Sequence, residues 1–195
     1  MQIDDNAALL VIDVQRGFDD QAYWGSRNNA EAEANIGALV QAWTDATRPV
    51  VLVRHDSTSP GSPLAVGSPG NELKSIVAGA PHDLLVTKNV NSAFLGEPDL
   101  AGWLRERGIR QVVVTGIQTN MCVETTARMG GNLGFDVVVP LDATHTFDLE
   151  GPDGIRLSAD ELTRASAVNL HGGGFATVTS TAEVLSALPT VTATA

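Results

Sequence analysis

The sequence predicts an α/β protein in which a parallel sheet carries helices on both faces. Three observations carry that prediction. Short apolar, β-branched runs recur along the chain, amphipathic stretches separate them, and chemically able residues sit at the C-terminal ends of the runs. In such sheets ligands lie beyond the carboxyl ends of the strands, where strand order reverses.

The elements follow in order. Residues 8–12 form an apolar strand ending at Asp13, and residues 28–47 carry Ala30, Ala34, Leu39, Val40 and Trp43 on a polar background, as an amphipathic helix does. Residues 49–53 form a second strand that delivers Arg54, His55 and Asp56. The stretch 57–71 is rich in Ser, Pro and Gly and reads as a long loop, of the kind used as a lid or a partner contact. A third strand at 84–87 ends at Lys88, and a loop covers 89–94. Further helices are expected at 100–107, 121–133, 159–170 and 181–188, and further strands at 111–115, 136–139 and 176–179. Residues 190–195 are expected to fray.

Length and composition set bounds. A chain of 195 residues with 43% hydrophobic and 18% charged residues suits one soluble domain spanning 1–195. A net charge of -11 argues against nucleic acid and anionic membranes as partners, since both recruit clustered Lys and Arg. One cysteine excludes an internal disulfide framework and a cysteine-rich zinc site, and fits a reducing compartment. Asp13 interrupts the first apolar run, so neither a signal peptide nor a membrane span is expected. A cytoplasmic location is the expectation.

The stretch 112–128 organises the rest: a buried strand, a turn at Gly116, and a helix whose mouth holds Cys122. Thr119 or Asn120 is the expected N-cap. A thiol in the first turn of a helix faces unpaired N–H groups and the positive end of the dipole, which favour thiolate. Asp13, His55, Lys88 and Cys122 all fall at strand ends, so a parallel sheet would gather them at one edge. A lysine near a thiol stabilises the thiolate, and a carboxylate in reach takes up the thiol proton and returns it to a leaving group. Taken singly, each has a plainer reading: Asp13 as a loop cap, Lys88 as a snorkelling cation, His55 as a satisfied imidazole, Cys122 as a small buried hydrophobe.

The sequence resembles the isochorismatase-like cysteine hydrolases, from about Ala8 to about Leu185. The resemblance rests on Leu10-Val11-Ile12-Asp13-Val14-Gln15, on Lys88 with Ser92-Ala93-Phe94 after it, and on Gly116-Ile117-Gln118-Thr119-Asn120-Met121-Cys122-Val123. It implies a three-layer doubly wound fold with a six-stranded parallel sheet and a catalytic triad of Asp13, Lys88 and Cys122. It further implies a cis peptide bond before Gln118 and an oxyanion hole from the backbone N–H groups of Gln118 and Cys122. Nicotinamidases of this group carry an Asp-x-His pair and further histidines for a metal. Here the matching segment reads Arg54-His55-Asp56-Ser57-Thr58-Ser59, so no metal is expected and nicotinamide specificity is not implied. Isochorismatases proper lack the cysteine, so Cys122 implies hydrolysis of a C–N bond in a small amide, ureide or lactam.

Phe18, Trp24, His55, Phe94, Gln118 and Phe147 are expected around the substrate. No G-x-G-x-x-G follows the first strand, so no dinucleotide cofactor is expected, and no cofactor of another kind is implied. His171-Gly172-Gly173-Gly174 echoes an esterase oxyanion loop, but no G-x-S-x-G elbow accompanies it, and a helix C-cap is the simpler assignment. A homo-oligomer is expected, with a neighbouring subunit holding the loop 57–71. The alternative left open is a non-catalytic small-molecule binder or assembly protein that keeps the fold.

Overall fold

The computed structural model describes residues 1–188; the expectation for residues 190–195 lies outside them. The strands are β1 Ala8–Ile12, β2 Val50–His55, β3 Leu84–Lys88, β4 Gln111–Ile117, β5 Asp136–Pro140, β6 Thr144–His145 and β9 Thr177–Thr179, with β7 Leu149–Glu150 and β8 Arg156–Leu157 forming a separate antiparallel hairpin. The helices are α1 Gln21–Trp24, α2 Ala32–Asp45, α3 Ser75–Ala78, α4 Leu100–Glu106, α5 Glu124–Asn132, α6 Ala159–Gly172 and α7 Thr181–Ser186.

The main sheet is parallel, in spatial order β3-β2-β1-β4-β5-β9, and β6 pairs with the C-terminal end of β4. It has seven strands where the resemblance implied six, the extra being the two-residue β6. Alternation along the strands splits the core. Ala8, Leu10 and Ile12 pack with Leu100, Leu104, Ala127 and Leu170 of α4, α5 and α6 on one face. Leu9 and Val11 pack with Ile36, Leu39, Val40 and Trp43 of α2, Val77 of α3 and Val184 of α7 on the other. Every residue of β1 and β4 is buried, which is why those runs read as continuously apolar. The edge strand β3 is only partly buried.

Residues 36, 39, 40 and 43 are spaced to line one face of α2, and the Trp43 indole donates to the Ala7 carbonyl at 2.9 Å. The helix starts at Ala32, later than expected, because Asn28 and Asn29 are spent elsewhere. The Asn29 amide donates to the Asp142 and Thr144 carbonyls, and Asn28 accepts from the Thr146 N–H. Gly116 lies inside β4 rather than ending it. A Cβ there would sit 2.0 Å from the Ile12 carbonyl oxygen, so glycine is required for β1 and β4 to approach.

The loop 57–71 is held by its own chain. The Asn71 amide donates to the carbonyls of His55 and Leu64 and to the Asp56 carboxylate, each at 3.0 Å. Gly70 lies so close to Gly17 that a Cβ would meet the Gly17 Cα at 2.8 Å. The ordering cost that the sequence argument assigned to a neighbouring subunit is met here within one chain. Among the described residues, no helix is long and apolar enough to cross a membrane.

Candidate active site

Strand order reverses between β1 and β4, and the residues that leave those two strands meet in the crevice outside their ends. Asp13 follows β1 in a left-handed conformation (φ 51°), a region that Asp tolerates better than most side chains. Lys88 closes β3. Cys122 sits in the turn after β4, which starts as a π-type turn over Thr119–Val123 and continues as α5.

Neither Thr119 nor Asn120 caps that turn. The Thr119 hydroxyl donates to Thr144, and Asn120 accepts from Thr146, so both side chains tie the turn to the segment around β6. The Ile117–Gln118 peptide bond is cis, as the resemblance implied.

The Lys88 ammonium is the hub. It donates to Asp13 Oδ2 at 2.6 Å, to His55 Nδ1 at 3.1 Å and to Cys122 Sγ at 3.4 Å. The Asp13 and Lys88 side chains are both fully buried. Burial pushes the Asp13 carboxyl up despite the opposing pull of Lys88. Burial, and then the Asp13 charge, push the Cys122 thiol up as well, with Lys88 pulling the other way. Both shifts favour a resting thiol beside a carboxylate whose basicity burial has raised, as the proton transfer from Cys122 to Asp13 requires, and desolvation opposes the pull of the helix terminus towards thiolate. Asp13 Oδ1 has no hydrogen-bond partner.

Ligand atoms of Asp13, His55 and Cys122 lie within 4.8 Å of one another, close enough for a metal ion to bridge. The Lys88 ammonium hydrogen-bonds to one atom of each of the three residues and so already supplies the cluster with a cation. Asp56, the other acid of that segment, is taken by Arg54 at 2.7 and 2.9 Å.

A cavity of about 240 Å³ opens onto Cys122, lined by Asp13, Phe18, Trp24, His55, Leu64, Asn91, Gln118, Met121 and Leu149. Phe18, Trp24, His55 and Gln118 are thus where the sequence reading put them. Phe147 is one layer back, stacked on Phe18 at 6.2 Å and on Trp24 at 5.5 Å, so it backs the wall without lining it. Phe94 is corrected outright: its ring stacks on Phe135 at 5.5 Å within the core under α5, away from the cavity. Leu64, Asn91, Met121 and Leu149 were missed. Met121 precedes the cysteine and Leu149 lies two residues past Phe147, but Leu64 and Asn91 reach the site only through the folding of their loops.

The chain is similar to known proteins over nearly its whole length. The isochorismatase domain model matches residues 7–183. The isochorismatase family protein YrdC of Bacillus subtilis is 36% identical over 94% of this chain and 96% of its own. Nicotinamidase 3 of Arabidopsis thaliana is 32% identical over 86% of this chain and 81% of its own. The crystal structure of a hydrolase of the isochorismatase family from Chromobacterium violaceum superposes with a TM-score of 0.89 at 39% identity, covering 96% of each chain. With the family model spanning nearly the whole chain and the fold shared with a solved member, the chain belongs to the isochorismatase family of hydrolases.

Proposed function

We propose that this hydrolase cleaves a C–N bond of a small, uncharged amide, ureide or lactam through a thioester on Cys122. The observation that carries the reading is the state of Asp13: one carboxylate oxygen is pinned by Lys88, the other is buried without a partner, and Cys122 stands beside it. In the first half-reaction the unpartnered oxygen takes the thiol proton as Sγ bonds to the substrate carbonyl carbon. The tetrahedral oxyanion is held by the backbone N–H groups of Gln118 and Cys122. As the C–N bond breaks, Asp13 returns the proton to the leaving nitrogen. Water then attacks the thioester with Asp13 as base, the acid departs, and the proton ends on Sγ.

Substrate charge follows from the inventory of cations. The cavity wall is mostly apolar and includes no arginine, and each Lys88 donor is already engaged. An anionic substrate would find no partner there. The name of nicotinamidase 3 places an amide among the substrates of relatives. We place the protein in the cytoplasm on the sequence arguments above, and we keep a homo-oligomer as a proposal that no longer draws on the loop 57–71, since Asn71 and Gly70 hold that loop within one chain.

The test is release of ammonia or amine from a panel of neutral and carboxylated amides, carbamoyl compounds and lactams, with Cys122→Ala as control. Release from neutral compounds by the wild type alone is expected. Equal release by Cys122→Ala, or turnover confined to carboxylated compounds, would contradict the reading.

A further inference from the structure

His55 is the one partner of Lys88 that the thioester chemistry does not use. An ammonium carries three hydrogens and no lone pair, so each of its neighbours must accept. Asp13 and Cys122 take two of the Lys88 contacts, and His55 Nδ1 takes the other at 3.1 Å. Its Nδ1 therefore holds the lone pair, and the ring proton sits on Nε2. Burial, and then Lys88 itself, push the His55 pKa down, which keeps the imidazole neutral and able to accept.

The imidazole is delivered to that position by a clamped backbone. The fully buried Gln15 amide accepts from the His55 N–H at 2.8 Å and donates to the His55 carbonyl at 3.0 Å. Asn71 donates to the same carbonyl. Two side chains thus hold the main chain of His55 while Lys88 holds its ring.

We infer that His55 is a positioning residue: through Nδ1 it anchors one ammonium hydrogen of Lys88, so that another stays directed at Cys122 Sγ. Without that acceptor one hydrogen of a buried ammonium is left unpaired, and Lys88 can turn away from the sulfur. The inference rests on the proposed Lys88–Cys122 pairing, but its test needs no substrate. If no amide is ever found to turn over, the His55 result still stands.

The probe is iodoacetamide, and the readout is the second-order rate of Cys122 alkylation in the full chain at neutral pH. Asn sets an oxygen close to the place of Nδ1, whereas Gln sets one close to Nε2. His55→Leu and His55→Gln should each slow alkylation by about tenfold, the size of a lost hydrogen bond to a charged group, and His55→Asn should recover most of that loss. Wild-type rates in all three variants would overturn the inference. So would an equal loss in all three, which marks a merely structural role, or rescue by Gln and not by Asn, which makes Nε2 the working atom.

Discussion

Asp13 and Glu33 are both carboxylates held by a lysine, yet the protein drives them in opposite directions. Glu33 accepts from Arg27 at 2.5 and 2.6 Å and from Lys74 at 2.7 Å. Burial alone would raise its pKa, but those donors outweigh burial and bring it down to about 2. Asp13 is more deeply buried, has a single cation, and keeps one oxygen without a partner, so burial wins and its pKa rises. A carboxylate with both oxygens paired to cations is structural. One left half-satisfied beside a thiol is a base in waiting.

Substitutions can break this contrast. The largest effect is expected from Cys122→Ala, which should lower hydrolysis by about a thousandfold or more while the melting curve stays cooperative. Retained turnover on a substrate found in the panel above would remove the nucleophile from the account.

Next comes Lys88→Met, which strands the Asp13 charge in the interior and should cost about 3 to 5 kcal/mol in urea denaturation. Lys74→Met leaves Glu33 its Arg27 partner and should cost about 1 kcal/mol. Equal costs would erase the distinction between the two sites.

The pH dependence of stability sharpens the same comparison. Glu33 has a folded-state pKa of about 2 against an ordinary 4.5, so its contribution is present above about 4.5 and is lost as pH falls towards 2. Thermal melts of Glu33→Gln against wild type should therefore differ near neutrality and converge in acid. Asp13 has the opposite sign: its raised folded pKa means that lowering the pH towards 3.8 relieves a cost of burial. The smallest expected effect is none: exhaustive EDTA treatment should leave activity unchanged, because the Lys88 ammonium already pairs with Asp13, His55 and Cys122. Loss on chelation with recovery on adding zinc would reverse that.

The layered fold was legible in the sequence because its central strands are buried on both faces and its helices carry a clear 3.6-residue period. The additions were not: β6, β7 and β8 are two residues long, too short to show any period. Strand ends pointed correctly to Asp13, His55, Lys88 and Cys122, since topology alone brings them together. They said nothing of depth, which is why Phe94 was drawn into the cavity although Gly130 of α5 makes room for its ring inside the core. Depth bears on Cys122 as well. A helix terminus is visible in sequence, whereas the burial that opposes its pull on the thiol is a property of the assembled fold.

The most direct test of the central claim, that Asp13 activates Cys122, is the rate of iodoacetamide alkylation at Cys122 at pH 7 in the wild type and in Asp13→Asn. Charge alone predicts a faster reaction in the variant, because the Asp13 carboxylate helps to hold the thiol pKa up. Base catalysis predicts the reverse: stoichiometric labelling of the wild type, and labelling of Asp13→Asn slower by about a hundredfold. A variant that reacts as fast as the wild type, or faster, would contradict the account.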